Sequence, residues 1–195
     1  MVIERETFDL IKRKHGAYAS WAVWAEPTGG PKSNIGDLSV LDPDHNPGLL
    51  PTLRSNVVML ALNLSRDLPP PLGNFHDPRP VAQDYKIRYA FSGTPVYGAY
   101  MTDLIKRVVM LKSGNLLSHL TQNPSLVSES VQILLEELDD LRCTAPTLIA
   151  FGATVHRFAL KHVPLRSYSR LARVMHYSDY VSKETYRLGV LEALA

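Results

Sequence analysis

A single cysteine, Cys143, stands in 195 residues, so the sequence excludes an internal disulfide and any zinc site built from several cysteines. Charge of one sign is not in excess either: 21 Lys and Arg face 19 Asp and Glu, a formal +2. That balance gives no bulk attraction to nucleic acid or membrane, and it rules out neither a nucleic-acid partner nor a neutral substrate. The uncharged runs near residues 89–102 and 143–156 are too short, and too rich in Gly, Pro and polar groups, to span a bilayer. Glu4, Arg5 and Glu6 interrupt the N-terminus where a secretory signal would need apolar residues. No internal repeat or low-complexity segment occurs. The Gly-x4-Gly-Lys loop, Gly-x-Gly-x-x-Gly and His-Glu-x-x-His are all missing. The seven histidines are scattered, and His156 and His162 are six apart, a poor match to one helical face. The expectation is a soluble, cytoplasmic protein with no metal and no cofactor, and with the monomer favoured.

What is present is ordinary globular material, 45% apolar and 21% charged, enough for one domain with a sizeable core. Residues 3–14 read as an amphipathic helix with Ile3, Phe8, Leu10 and Ile11 inward, and residues 18–24 as a short strand. Residues 27–51 carry the turn signals Gly29-Gly30-Pro31, Asp42-Pro43 and Asn46-Pro47-Gly48 and read as a long loop. With Trp21 and Trp24, this region is a candidate lid or partner surface. The apolar run from Asn56 to Leu62 suits a strand buried on both faces. A proline-rich connection is expected to about Pro95, then a short strand at Tyr100-Met101-Thr102. Asn123-Pro124 predicts a helix start, with Val127, Val131, Leu134, Leu135 and Leu138 on one face up to Leu141. Residues 146–151 and 171–175 read as strands, 153–162 as a helix, and Ser182 as the cap of a last helix ending near Leu194.

Strands alternating with helices predict an α/β fold, with three layers α/β/α around a central, mainly parallel four-stranded sheet. Residues 1–55 would add a helix, a short strand and a loop to a core at 56–195. Ligands of such sheets bind beyond the carboxyl ends of the strands, which directs attention to Asn63, Asp103, Gly152 and His176. Charge is unevenly placed along the chain. Glu129, Glu136, Glu137, Asp139 and Asp140 make residues 126–141 acidic, while Arg157, Lys161, Arg166, Arg170 and Arg173 make 143–178 basic. These are two solvated faces, or else the second is a phosphate-tracking patch that a small net charge conceals.

A serine-hydrolase set of Ser65, His176 and Asp179 can be written, but it lacks a nucleophile elbow. Four segments taken in order are more specific: Ala61-Leu62-Asn63-Leu64-Ser65, Asn74-Phe75-His76-Asp77, the stretch from Gly98 to Arg107 around Thr102-Asp103, and Val174-Met175-His176-Tyr177-Ser178. Here the chain resembles the uracil-DNA glycosylase superfamily, nearest to its mismatch-specific and single-strand-selective branches, over roughly residues 56–195. Gly152-Ala153 is similar to that family's helix entry after the third strand.

The resemblance implies a fold of that type and excision of a flipped, damaged or mismatched base from DNA, possibly single-stranded. It assigns Asn63 to the attacking water. Phe75 would stack on the base, and Asp103, with Leu64 nearby, would bind its edge. His176 would donate a hydrogen bond to the departing base. Ser178, Arg170, Arg173 and Lys106 would contact DNA. In a covalent variant, His76 or His176 would capture the sugar carbon. The chain departs from the family pattern at Ala61 and Leu64, at Tyr177 in place of Pro, and at Asp103 in place of Asn. An ionised Asp only accepts hydrogen bonds, which suits an amino-bearing base better than uracil. The alternatives are a non-catalytic nucleic-acid or nucleotide-binding protein on the same fold, and a nucleoside or nucleotide hydrolase.

Overall fold

The computed structural model describes residues 3–64, 69–110 and 113–195. Helix α1 (Arg5–His15) buries Phe8 and Ile11 on one face and gathers Lys12, Arg13, Lys14 and His15 in its last turn, where the helix dipole favours cations. Then follow β1 (Ala19–Trp21), a 3-10 turn (Leu38–Leu41), the single turn α2 (Leu49–Thr52), β2 (Arg54–Leu64), α3 (Asp84–Phe91) and β3 (Ala99–Val109). Helices α4 (Ser113–Gln122) and α5 (Pro124–Asp140) lead to β4 (Thr147–Phe151), and α6 (Ala153–His162) to β5 (Arg170–Val174). Helix α7 (Lys183–Leu194) closes the chain. The Ser182 side chain caps it, accepting from the Thr185 N–H at 3.1 Å.

The strands form one sheet in the order β1-β3-β2-β4-β5. β2 pairs in parallel with β3 and with β4, and β4 with β5, while β1 lies antiparallel on β3. The sheet thus has five strands among the described residues, not the four expected. The 18–24 segment supplies the extra edge strand, and the N-terminal region is built into the sheet. Strand β2 is apolar from Val57 to Leu62 because both its faces are covered there. Val58, Leu60 and Leu62 meet Phe8, Ile11, Leu134 and Val155 of α1, α5 and α6. Met59 and Ala61 meet Ile87, Phe91, Tyr186 and Val190 of α3 and α7. No helix among the described residues is long and apolar enough to cross a membrane.

Three expectations are corrected. The connection before Pro95 contains α3, whose charges disguise it. Buried Lys86 donates to the Asp179 carbonyl at 2.9 Å, and buried Arg88 to the carbonyls of Ala25, Ser33 and Pro31 at 2.6–2.9 Å. These cations clamp backbone, and Arg88 holds the 25–33 loop against the body. Second, α5 is rotated from its predicted face: Ser130, Leu134, Glu137 and Leu138 are its buried residues, so Glu137 leaves the solvated acidic set. Asn123 makes no cap for α5; its amide donates to the His119 carbonyl at the end of α4. Third, Trp21 and Trp24 are core residues, which removes them from any partner surface.

Candidate functional site

The carboxyl ends of β2, β4 and β5 open into a cavity of about 690 Å³ whose walls include Asn63, Phe75, Gly152, His176 and Ser178. This is where a parallel sheet offers a ligand site: the strands end together, and the side chains that follow them are not used in strand pairing. Three of the four sequence segments reach its wall. Ser65, from the hydrolase set, lies outside the described residues.

Asn63 sits where the β2–β3 register shifts, between the pairs Asn63↔Ile105 and Leu64↔Val109. Its Nδ2 spans that irregularity and donates to the carbonyls of Leu64 (2.7 Å), Met110 (2.9 Å) and, at longer range, Val108 (3.3 Å). Three carbonyl acceptors fix the amide orientation, because only the nitrogen can face them. Oδ1 is therefore the atom that Asn63 keeps as an acceptor.

His176 follows β5. The backbone N–H of Ser178 points at its Nδ1 at 3.1 Å, and the Ser178 hydroxyl lies 2.7 Å from the same atom. A backbone N–H can only donate, so Nδ1 accepts and the proton resides on Nε2. Burial lowers the His176 pKa, with an opposing pull from Asp179. Both effects of the surroundings on Nδ1 and burial favour a neutral ring presenting Nε2–H. The ring stacks on Tyr177, centroids 4.5 Å apart. Gly152 makes room for it: at φ +93° it occupies backbone space that favours glycine, and a Cβ there would lie 3.3 Å from the His176 Cβ. Gly152 is also the N-cap of α6; its side-chain-free position leaves the first N–H groups of that helix without a side-chain acceptor, and Gly152 to Val155 lie in the cavity wall beside His176.

The 74–77 loop forms the inner wall. Asn74 donates to the Tyr18 carbonyl at 2.8 Å and to Asp103 Oδ2 at 2.9 Å, while its Oδ1 accepts from the Phe75 N–H at 3.1 Å. Phe75 is thereby held at φ +63°, a left-handed conformation rare outside glycine. The Trp24 indole N–H secures its carbonyl. Phe75 packs on Phe151, centroids 6.3 Å apart, with one side toward the cavity. Asp103 is not in the cavity wall. It is fully buried behind Asn74, and burial pushes its pKa up to about 7 against the opposing pull of Lys106 and the Asn74 hydrogen bond. Asp103 orients Asn74 and does not itself read a base edge.

Several other expected site residues lie elsewhere. Leu64 points into the opposite core, because side chains alternate along β2 and Asn63 takes the cavity side. Lys106 is buried on that opposite face, where its Nζ meets Glu137 at 2.5 Å and Thr102 at 2.6 Å, so it cannot contact DNA. Arg170 begins β5, at the end of the strand away from the cavity, and bonds the Ala193 carbonyl. Arg173 is exposed on the edge strand outside the cavity wall. His76 is buried with its ring nitrogens 2.9 Å from the carbonyls of Asn74 and Val23, which bars it from capturing a sugar.

The cavity also contains polar residues that the sequence left unassigned. Asp77 accepts four bonds from Arg79, two from its Nε, one from its terminal nitrogen and one from its backbone N–H. Asp84 accepts from the Asp77 N–H at 2.8 Å. Burial first, then the charges of Asp84, Asp103 and Asp77, raises the Tyr177 phenol well above its ordinary value, which keeps its O–H a donor. The Asp77-Pro78-Arg79 turn was a visible signal. Asp84 carries no such signal, because the charges of α3 disguise that helix. Among the described residues, no group of His, Cys, Asp and Glu is arranged to hold a metal. Comparison with protein-family models, curated proteins and solved structures finds no match to this chain.

Proposed function

We propose that the chain is a divergent relative of the uracil-DNA glycosylase superfamily that hydrolyses the N-glycosidic bond of a damaged or mismatched base flipped out of DNA. It would work as a monomer on DNA in the cytoplasm, without a metal. One observation carries this: a neutral His176, its Nδ1 occupied by Ser178, presents Nε2–H inside a cavity that also takes Asn63 and Phe75. In the reaction, Phe75 contacts the face of the base, and Asn74 and Tyr177 meet its edge. Asn63 Oδ1 holds a water below the sugar C1′. The C1′–N bond breaks, the base departs with the electron pair, and His176 Nε2–H and the uncapped start of α6 stabilise its negative charge. The water adds to C1′ and passes its proton to a carboxylate of the wall or to solvent. Tyr180, fully exposed one residue beyond Asp179 of the rim, would fill the gap left in the stack.

The test is base release from labelled oligonucleotides bearing uracil opposite guanine or adenine, single-stranded uracil, hypoxanthine, xanthine, ethenocytosine or mismatched normal bases. Release lost in Asn63→Ala and His176→Ala supports the proposal; no release from any substrate sinks it. The three bonds that commit the Asn63 amide to backbone favour a second possibility, a non-catalytic binder on the same fold. That protein would bind oligonucleotides tightly and release nothing. A nucleoside hydrolase would instead turn over free nucleosides without dependence on salt.

A further inference from the structure

A second cavity, about 680 Å³, runs along α6 between that helix and the α4–α5 pair. Thr154 lines both this groove and the first cavity, so the two adjoin at the start of α6. The floor of the groove is apolar: Leu117, Leu120, Val127, Val131 and Phe158. Its α6 wall carries Arg157, Lys161 and His162. Helix α5 bears Glu129, Glu136, Asp139 and Asp140, yet it turns Ser128 and Gln132 into the groove, and no carboxylate lines it. Arg157 and Lys161 are exposed, and among the described residues neither has an ion-pair partner. At a spacing of four they are neighbours on one helix edge, and like charges so placed repel unless an anion lies between them. The His162 ring packs on Phe158, centroids 4.5 Å apart, and burial with the nearby Lys161 charge lowers its pKa. A bound anion would reverse that shift.

We propose that this groove holds a single DNA strand, the one that continues from the nucleotide in the first cavity. This rests on the glycosylase proposal for the identity of the polymer. A single strand presents a charged backbone on one side and flat apolar bases on the other, and the groove offers cations on one wall and an apolar floor. Its lining follows α6 from Thr154 to His162, about 12 Å along the helix. An acidic partner helix would satisfy the charges but would have no reason to abut the first cavity.

The experiment is fluorescence anisotropy of labelled single-stranded oligothymidylate across a salt series, with the full chain. Arg157→Gln/Lys161→Gln should weaken binding about tenfold or more at low salt and flatten the log–log salt slope by about 0.7 per contact removed. Leu117→Ala should weaken binding without changing the slope. Lys12→Gln/Arg13→Gln, basic and exposed on α1 but outside the groove, should leave both unchanged. The groove assignment is overturned if wild-type protein does not bind the strand, or if the Arg157/Lys161 variant matches it in affinity and slope. It is also overturned if strand affinity is unchanged while the variant dissolves a concentration-dependent dimer, which assigns the groove to a second copy. Base release by wild type with unaltered strand binding by the variant removes the groove and leaves the glycosylase. Weakened strand binding with no base release from any substrate does the reverse.

Discussion

Strand β3 carries two buried ionisable groups three residues apart, and the two faces of the sheet treat them differently. On the α5 face, Lys106 meets Glu137, and Glu137 also accepts from Tyr100 (2.8 Å) and Thr102 (2.7 Å), with the Tyr18 ring 4.7 Å from the ammonium. That cluster is closed: each charge has a partner, and it lines neither of the two cavities. On the other face, Asp103 accepts from Asn74 and lies one side chain behind a cavity. The closed cluster fixes where α5 sits on the sheet. The open one leaves polar capacity beside a space that a ligand can enter. Buried polarity alone therefore does not mark a site; polarity next to a cavity does.

The largest expected effect lies on the closed face. Lys106→Met strands Glu137 without its cation and should cost about 3–5 kcal/mol in chemical unfolding, while adding Glu137→Leu should recover most of the loss. A single variant as stable as wild type would mean that the pair does not hold α5. On the open face, His176→Ala should leave the melting temperature nearly unchanged and slow base release about 10²–10³-fold, the loss typical of one donor to a developing anion. An equal loss of stability would make His176 structural and erase the contrast between the faces.

Asp103→Asn sharpens the comparison through pH. With its pKa pushed up to about 7 by burial, folded Asp103 keeps a proton that the unfolded chain releases near pH 4. Between those values the folded state binds more protons, so its stability falls as pH rises. Asparagine should flatten that slope and stabilise the protein above about pH 8 by on the order of 2–4 kcal/mol. A variant that keeps the wild-type pH profile would place the titration elsewhere. The smallest effect belongs to Ser178→Ala. It removes the hydroxyl from His176 Nδ1 but keeps the backbone N–H, so base release should slow about tenfold or less. A loss as large as that of His176→Ala would give the serine a direct role.

Much of this was legible in the residues. The β4–α6 and β5–α7 units follow from apolar runs bounded by Gly152, Pro146 and the Ser182 cap. The convergence of Asn63, Phe75 and His176 follows from their positions at the end of, or just beyond, strands of a parallel sheet. Polar side chains whose partners are remote in sequence are not legible in this way. Lys86, Arg88 and Glu137 resemble surface residues and are interior ones. Asp103 resembles a strand-end reader and is covered by Asn74, twenty-nine positions earlier.

The sequence by itself determined the alternation of apolar strands and amphipathic helices, and hence the layered sheet with a site at its carboxyl edge, because periodicity and caps are local properties of neighbouring residues. Only the tertiary structure decided which charges are buried, which way Asn63 and His176 point their donors, and that Lys106 and Asp103 face opposite sides. Each of those depends on a partner brought from far along the chain, and a buried polar group takes its role from that partner.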